Sequence, residues 1–412
     1  MNQEGFFCWF FGNASSSTGE KAGREARYSA CHSSGVNFRI FVWFPESSIF
    51  LEMIIAGSLR IGGAEKVAAD IGFYADPQKY TVHYVVFGSE TGAYEPELTA
   101  CGCRVFHFPQ PSESYSGYLR GLKQLIRTYH YDVIHAHTMF NIGWAMLAGR
   151  LDGVPVRIAH AHSALAERRS IKVRLYEAVM RFMILTCATD DVACGVKAGE
   201  RLYGRRRFQK SGKLILNGID TQGFAFNAER RVAFRKELGL DGRFLIGHAG
   251  HLAAVKNQGF LLELMPEILK ERPDAYLLLL GEGDDRPMLE RKIRELGLEE
   301  YVRMTGNVRN VPDYLNAMDA FALPSLYEGM PLSIVEVQSN GLPCVISDRV
   351  PKDVFLTELI QPLPLENKAA WVRAICAAKR EHSEEYAARL MKSGFDVQTA
   401  MEKIYEIYEG GR

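Results

Sequence analysis

The sequence predicts an α/β protein made of two doubly wound, Rossmann-like domains that face each other across a cleft. Its 412 residues exceed the size at which one hydrophobic core usually suffices. Apolar strands alternate with helices along two long stretches, which is typical of parallel sheets covered by helices. Several of these strands lead into glycine-containing loops that open helices, where doubly wound folds bind ligands.

Composition excludes several classes of protein. The formal net charge is zero, which argues against a general nucleic-acid binder. Of the eight cysteines only Cys101 and Cys103 lie close in sequence, and no second pair completes a zinc site, so small buried thiols in a reducing compartment are expected. No window reaches the ~18 uninterrupted apolar residues of a spanning helix. We therefore expect a cytoplasmic protein.

The first domain is predicted over residues 46–222. Residues 1–45 show neither helical nor strand periodicity, so this leader is expected to lack a stable fold. A strand over 49–56 precedes a loop with Gly62 and Gly63, which opens a helix. Glycines at a helix start let the backbone approach a phosphate, although a plain tight turn would look the same.

Histidines follow two later strands of this domain. His135 and His137 end one strand, and His160 and His162 end the next. A single such histidine is more often structural than catalytic, but four at adjacent strand ends point to a ligand. No carboxylate completes a metal set beside them. We rank His137 first, ahead of His135 and His160.

The second domain is predicted over residues 243–394, after a linker at 223–242. Its first strand leads to His251 and to Lys256, which we place at a helix start facing the cleft. A lysine there is a point charge that neutralises a leaving diphosphate without metal, although a surface lysine is the alternative.

The stretch 325–348 is the most informative part of the sequence, because it combines a strand–loop–helix unit with two carboxylates. A buried strand ends at Pro324, a loop carries Glu328 and Gly329, and a helix runs from Pro331 to about Asn340. Glu336 follows Glu328 by eight positions, about one and a half turns inside the helix. Both carboxylates can face one ligand and hold the hydroxyls of a ribose and a sugar. The alternative is two solvated glutamates beside a helix start.

This stretch resembles the donor site of retaining glycosyltransferases of family 4, which have the GT-B fold, in a subgroup that builds exopolysaccharide and capsule. The resemblance covers roughly residue 49 to the C-terminus. It implies transfer of a hexose from a nucleotide diphosphate sugar, with UDP favoured, to a glycan or lipid-linked acceptor. It assigns the ribose to Glu336, the donor sugar to Glu328 and the diphosphate to Lys256.

The resemblance also assigns further residues. The Gly62–Gly63 loop would lie over the diphosphate, His137 near the transferred sugar, and His135 and His160 on the acceptor side. The helix at 395–412 would cross back onto the first domain. His251 stands where the family has an arginine. The remaining predicted donor contacts are Asn307, Val308, Gly329, Met330 and Leu332.

A basic segment suggests contact with a membrane surface. Arg168, Arg169, Lys172, Arg174 and Arg181 lie in and before one helix. The other face of the predicted helix holds Val173, Tyr176, Val179, Phe182 and Met183. Members of the family often reach lipid-linked acceptors at the membrane, which favours peripheral binding to anionic lipid over a merely solvated helix face.

Two other classes of function stay open. A nucleotide-sugar epimerase or hydrolase would use the same phosphate site and turn over donor without acceptor. A non-catalytic glycan- or partner-binding relative would fail to bind nucleotide, and Glu328, Glu336 and Lys256 argue against it. No D-x-D metal motif occurs, so neither metal nor other cofactor is expected.

Overall fold

The computed structural model describes residues 50–163, 170–380 and 385–411. The predicted leader over residues 1–45 lies outside them, as do Arg168 and Arg169 of the basic segment. Within the described residues the strands form two sheets, of seven and six strands, and all strand pairs in both are parallel. Both sheets belong to one compact unit.

The first sheet has the strand order β3-β2-β1-β4-β5-β6-β7. Its strands are β1 (Phe50–Ile55), β2 (Tyr80–Phe87), β3 (Arg104–Phe108), β4 (Val133–Ala136), β5 (Val156–Ala161), β6 (Asp190–Ala193) and β7 (Lys213–Leu214). The helices around it are α1 (Gly63–Phe73), α2 (Glu95–Ala100), α3 (Tyr115–Tyr129), α4 (Ile142–Leu151), α5 (Ile171–Cys187), α6 (Val196–Tyr203) and α7 (Arg205–Ser211).

The second sheet has the order β10-β9-β8-β11-β12-β13. Its strands are β8 (Phe244–Ala249), β9 (Ala275–Leu280), β10 (Val302–Gly306), β11 (Ala320–Leu323), β12 (Cys344–Ser347) and β13 (Ile360–Leu363). The helices that follow α7 are α8 (Ala228–Leu238), α9 (Gln258–Glu271), α10 (Arg286–Glu295), α11 (Val311–Ala317), α12 (Leu332–Ser339), α13 (Lys368–Ala377), α14 (Glu385–Leu390) and α15 (Val397–Gly410).

Both sheets are buried on their two faces, which explains their strand sequences. Strand β9 is almost purely aliphatic and every one of its residues is buried. Its side chains contribute alternately to the two hydrophobic clusters that pack on the second sheet, one on each side of it. The second sheet and its helices are called the second half below, and the first sheet and its helices the first half. A continuous apolar run rather than a polar–apolar alternation is what a parallel sheet covered by helices requires.

Helix α8 lies within the stretch predicted as a linker, but it is packed on the second sheet's helices. Arg231 donates to the backbone oxygens of residues 316–318, and Arg235 donates to the carbonyl of Ala317 and to Asp319. Asp319 also accepts from the amide of Leu245 in β8. These bonds make α8 part of the second half rather than a free connection.

Helix α15 follows the second half in sequence and packs on the first sheet. Its buried residues join the core cluster that contains Phe50 and Ile54 of β1. Tyr405 stacks on Tyr80 with ring centroids 4.5 Å apart, and its hydroxyl donates to the carbonyl of Ile71. This helix therefore ties the segment after the second sheet to the first sheet.

The packing of α15 predicts the effect of a cavity in it. We expect Ile404→Ala to lower the free energy of unfolding by about 3 kcal/mol, because Ile404 is buried against the first sheet. Urea denaturation followed by tryptophan fluorescence measures this loss. Val232→Ala, at an exposed position of α8, is the control and should change stability by less than about 0.5 kcal/mol. An unchanged midpoint for Ile404→Ala would contradict the packing.

Candidate active site

The carboxyl ends of both sheets open onto one cleft of about 1410 Å³. Residues that end or follow strands of each sheet line it, including Gly57 after β1, His137 after β4, Ala249 in β8, Val308 after β10 and Glu328 after β11. The volume exceeds the roughly 300–1,000 Å³ of an ordinary small-molecule pocket. There is room for two substrates side by side.

Lys256 and Glu328 form an ion pair in the cleft. The Lys256 Nζ lies 2.8 Å from Glu328 Oε1 and 3.0 Å from Oε2. Ser325 Oγ donates to Glu328 Oε1 at 2.5 Å, so the carboxylate is held from two sides. The loop between β11 and α12 thus meets the short helical turn Ala254–Lys256 that follows β8. The ammonium group of Lys256 and the carboxylate of Glu328 are therefore both held next to the start of α12.

Close backbone approach fixes the loop that carries His251 and Lys256. Gly281, at the end of β9, has a φ of 132°, and a Cβ there would lie 2.1 Å from the carbonyl oxygen of Gly250. Asn257 also has a positive φ, and its side-chain amide donates to the carbonyl of Pro324 at 3.1 Å. A glycine at 281 is therefore needed for this geometry.

Glu336 faces the cleft from inside α12. Burial raises the pKa of its carboxyl to about 7, and the nearby charge of Lys66 opposes that rise. Lys66 comes from α1 of the first half, where it is paired with Asp70. Burial likewise raises the pKa of Asp70 to about 6, against the effect of Lys66. One lysine therefore lies near the buried Asp70 and the partly buried Glu336, which are on opposite sides of the cleft.

Four histidines lie in two layers at the carboxyl ends of β4 and β5. His137 and His162, here called the cleft pair, line the cleft and are hydrogen-bonded, with His137 Nδ1 2.7 Å from His162 Nε2. His135 and His160, the inner pair, are fully buried and lie behind it. Burial lowers the pKa of His162 to about 4 and those of the other three well below their ordinary value. All four rings are neutral at pH 7.

The inner pair and His137 are close enough for a metal to be considered. Within the described residues, His135, His137 and His160 place one nitrogen each within 4.8 Å of one another. The inner pair already shares a hydrogen bond, with His135 Nε2 3.0 Å from His160 Nδ1. The expectation of no metal stays a prediction.

Most of the predicted site residues converge on the cleft. Those that line it are Gly62, Gly63, His137, His251, Lys256, Val308, Glu328, Met330, Leu332 and Glu336. The predicted residues outside its lining are His135, His160, Asn307 and Gly329. The inner pair lies behind the cleft wall, because both rings are buried beneath the sheet edge and α15. Its assignment to the acceptor side stays a prediction.

Sequence reasoning missed three cleft residues. Lys66 could have been suspected from its place in the first turn of a helix opened by two glycines. His162 was part of the recognised pattern but was not chosen. Arg309 forms a 2.9 Å ion pair with Glu97 of α2 across the cleft, a contact 212 positions apart that local sequence does not reveal.

The predicted apolar face of the basic helix is partly exposed. Val173, Val179 and Phe182 are exposed on α5. The helix buries Glu177, Met180, Ile184 and Cys187 instead. Apolar side chains therefore face outward alongside the basic ones.

Comparison with known proteins decides the family. Residues 61–222 match the family described as Glycosyltransferase Family 4, and residues 243–381 match Glycosyl transferases group 1. EpsF of Bacillus subtilis, a glycosyltransferase by name, is 32% identical over 366 residues, which cover 86% of this chain and 95% of EpsF. The chain belongs to glycosyltransferase family 4.

Other relatives agree with this assignment. This chain is 27% identical to the UDP-Gal:alpha-D-GlcNAc-diphosphoundecaprenol alpha-1,3-galactosyltransferase of Escherichia coli. The match covers 70% of this chain and 78% of that enzyme. The structure of Anabaena HepE in complex with UDP and glucose superposes with a TM-score of 0.69 at 23% identity, covering 88% of this chain and 100% of HepE. The predicted GT-B fold is confirmed.

The raised pKa of Glu336 predicts a pH dependence of stability. The unfolded chain releases this proton near pH 4.5 and the folded protein only near pH 7. The stabilisation is therefore complete below about pH 4.5 and is lost as the pH rises through about 7. We expect the stability of Glu336→Gln relative to the wild type to rise by about 1–3 kcal/mol between pH 5 and pH 8.

Urea denaturation at each pH measures the difference. The exposed Glu402→Gln on α15 is the control for the substitution itself. Parallel wild-type and Glu336→Gln curves from pH 5 to 8 would show that Glu336 is not held protonated by burial.

Proposed function

We propose that this glycosyltransferase moves a hexose from a nucleotide diphosphate sugar, with UDP favoured, to a hydroxyl of a glycan or lipid-linked acceptor. The proposal includes retention of anomeric configuration and a role in bacterial cell-surface polysaccharide synthesis. One observation carries it: the Lys256–Glu328 pair and Glu336 converge on a single cleft at the start of α12. Cationic and carboxylate groups are then in place for a diphosphate and for two sets of hydroxyls.

The relatives support the choice of donor and acceptor. The E. coli enzyme is named for a UDP-sugar donor and for an acceptor sugar on diphosphoundecaprenol, which is a lipid-linked glycan. HepE is described with UDP and glucose bound. The cleft of this chain is large enough for a nucleotide sugar together with an acceptor.

Each cleft residue has a chemical role in the proposal. Glu336 accepts hydrogen bonds from the ribose hydroxyls, and Glu328 accepts them from the donor sugar. Lys256, His251 and the free N–H groups at the start of α12 stabilise the charge that develops on the departing diphosphate. Lys256 is already directed by Glu328, so little reorganisation is needed when the donor binds. This arrangement needs no metal at the phosphates.

Retention follows from attack on the face that the diphosphate leaves. In this scheme the departing phosphate oxygen takes the proton of the acceptor hydroxyl as the new glycosidic bond forms. His137 holds a sugar hydroxyl as a neutral hydrogen-bonding group, because burial keeps its pKa well below the ordinary value. It is too weak a base to take the acceptor proton at neutral pH.

A surface on α5 supports contact with a membrane. Ile171, Leu175 and Phe182 are each more than 65% exposed, and Lys172 and Arg174 are exposed on the same helix. Apolar side chains beside cations fit the interface of an anionic bilayer, where a lipid-linked acceptor would be presented. No helix in the described part of the chain is long and apolar enough to cross a membrane.

Donor binding is the first test of the proposal. We expect UDP to raise the melting temperature more than GDP, ADP or TDP, with or without EDTA, because it binds only the folded state. At a hundredfold excess over its Kd a ligand adds about 2.7 kcal/mol of stability. Glu336→Ala should abolish the shift, whereas Glu402→Ala, an exposed glutamate on α15, should keep it.

Two results would contradict the proposal in different ways. No shift with any nucleotide, for protein shown to be folded, would favour the non-catalytic binding relative. A UDP shift accompanied by donor turnover without acceptor would favour a hydrolase or epimerase at the same site.

Membrane contact is tested by co-sedimentation with vesicles. We expect the protein to bind vesicles that contain anionic lipid, and the double variant Leu175→Asp/Phe182→Asp to lose at least about tenfold in binding, because charge on the apolar face is costly to insert. Val232→Asp, an equally exposed position on α8, is the control. Equal binding of both variants would remove α5 as the contact surface.

A further inference from the structure

The inner pair of histidines is connected to the last helix of the chain. Tyr408 is fully buried near the end of α15, and its hydroxyl lies 2.8 Å from His135 Nδ1. His135 Nε2 in turn lies 3.0 Å from His160 Nδ1. A hydrogen-bonded chain thus runs from a helix far along the sequence to the carboxyl ends of β4 and β5.

The direction of this chain follows from the hydroxyl proton. Within the described residues Tyr408 Oη has His135 as its hydrogen-bond partner and no other. If Tyr408 donates to His135 Nδ1, His135 donates from Nε2 to His160 Nδ1, and one buried group, the His160 Nε2–H, has no partner among the described residues. The reverse direction would leave two without a partner, the Tyr408 hydroxyl proton and the His160 Nε2 lone pair. Because each unsatisfied buried polar group is costly, Tyr408 donates to His135, and His160 carries its proton on Nε2.

The inner pair also forms the surface on which the cleft pair rests. The rings of His135 and His137 have centroids 4.3 Å apart, and those of His160 and His162 lie 4.2 Å apart. Each inner ring therefore contacts one ring that lines the cleft. A rotation of His135 or His160 would displace its neighbour, since a packed interior leaves no free space to absorb it.

We propose that Tyr408 is a positioning residue for the cleft pair: its hydroxyl fixes the tautomer and the ring orientation of His135 and, through His160, holds His137 and His162 in place. Only the expected effect on kcat rests on the proposed sugar transfer; the tautomer of His135 does not depend on it. It gives α15 a function in the reaction beyond its packing. The end of the chain would thereby act on the site although it contributes no residue to the cleft lining.

The test compares two tyrosines of one helix. Tyr408→Phe removes the hydroxyl that reaches His135. Tyr405→Phe removes a hydroxyl that donates to the backbone carbonyl of Ile71 and does not touch the histidines. Both variants keep the ring and lose one hydrogen bond, so a merely structural role predicts similar effects for both.

We expect Tyr408→Phe to lower kcat about tenfold with little change in the KM for the donor, because groups beside the reacting sugar lose their alignment. Tyr405→Phe should keep the wild-type kcat. Equal kcat values for the two variants would overturn the proposal.

A second readout is independent of the proposed reaction. Long-range ¹⁵N–¹H spectra distinguish the two neutral tautomers of a histidine. We expect His135 to be protonated at Nε2 in the wild-type protein and to become a mixture in Tyr408→Phe, with Tyr405→Phe unchanged. His135 protonated at Nδ1 in the wild type would overturn the proposal even if Tyr408→Phe does not fold. A protein inactive with every donor would refute the proposed function and leave this result standing.

Discussion

All strand pairs in the two described sheets are parallel, and the position of the site depends on this constraint. Parallel strands place their carboxyl ends, and the starts of the helices that follow, on one edge of a sheet. Two such edges face each other here, so loops after strands of both sheets, together with α1 and α12, supply most of the polar groups of the cleft. The chemistry sits at the sheet edges because backbone N–H groups and loop side chains are free only there.

Burial controls the charges in the cleft. Desolvation raises the pKa of Glu336 and Asp70 and lowers those of the four histidines, so most of these groups approach neutrality near pH 7. Lys66 opposes the rise for both acids. Among the described cleft residues, direct ion pairs hold Lys66 to Asp70, Lys256 to Glu328 and Arg309 to Glu97. A cleft of this kind favours a polyanionic donor that brings its own charge and meets a directed cation.

The sequence was sufficient wherever local pattern decides structure. The strand that ends before Pro324, the loop with Glu328 and the helix with Glu336 form as predicted. The positions of Lys256, Glu328 and Glu336 after predicted strands were enough to place them in one cleft, because parallel strands have their carboxyl ends at the same edge of a sheet. The roles assigned to these residues stay predictions.

The sequence was insufficient wherever a distant segment decides. Helical periodicity indicated an amphipathic α5 but not that its buried residues would be Glu177, Met180, Ile184 and Cys187. Nothing near His135 indicates that α15 closes over it, so the inner pair could not be separated from the cleft pair. Lys66 lies near enough to Glu336 to affect its pKa only because the two halves face each other across the cleft. Such contacts depend on how the sheets and α15 pack, which local pattern does not encode.

The proposed sugar transfer is tested most directly by the release of UDP from UDP-sugars with a lipid-linked acceptor, comparing the wild type with Lys256→Met. We expect acceptor-dependent release and a product with the donor's anomeric configuration. We also expect Lys256→Met to lose at least about a hundredfold in kcat, because the directed cation at the leaving diphosphate is gone. An inverted product, or a Lys256→Met variant as active as the wild type, would contradict the proposal.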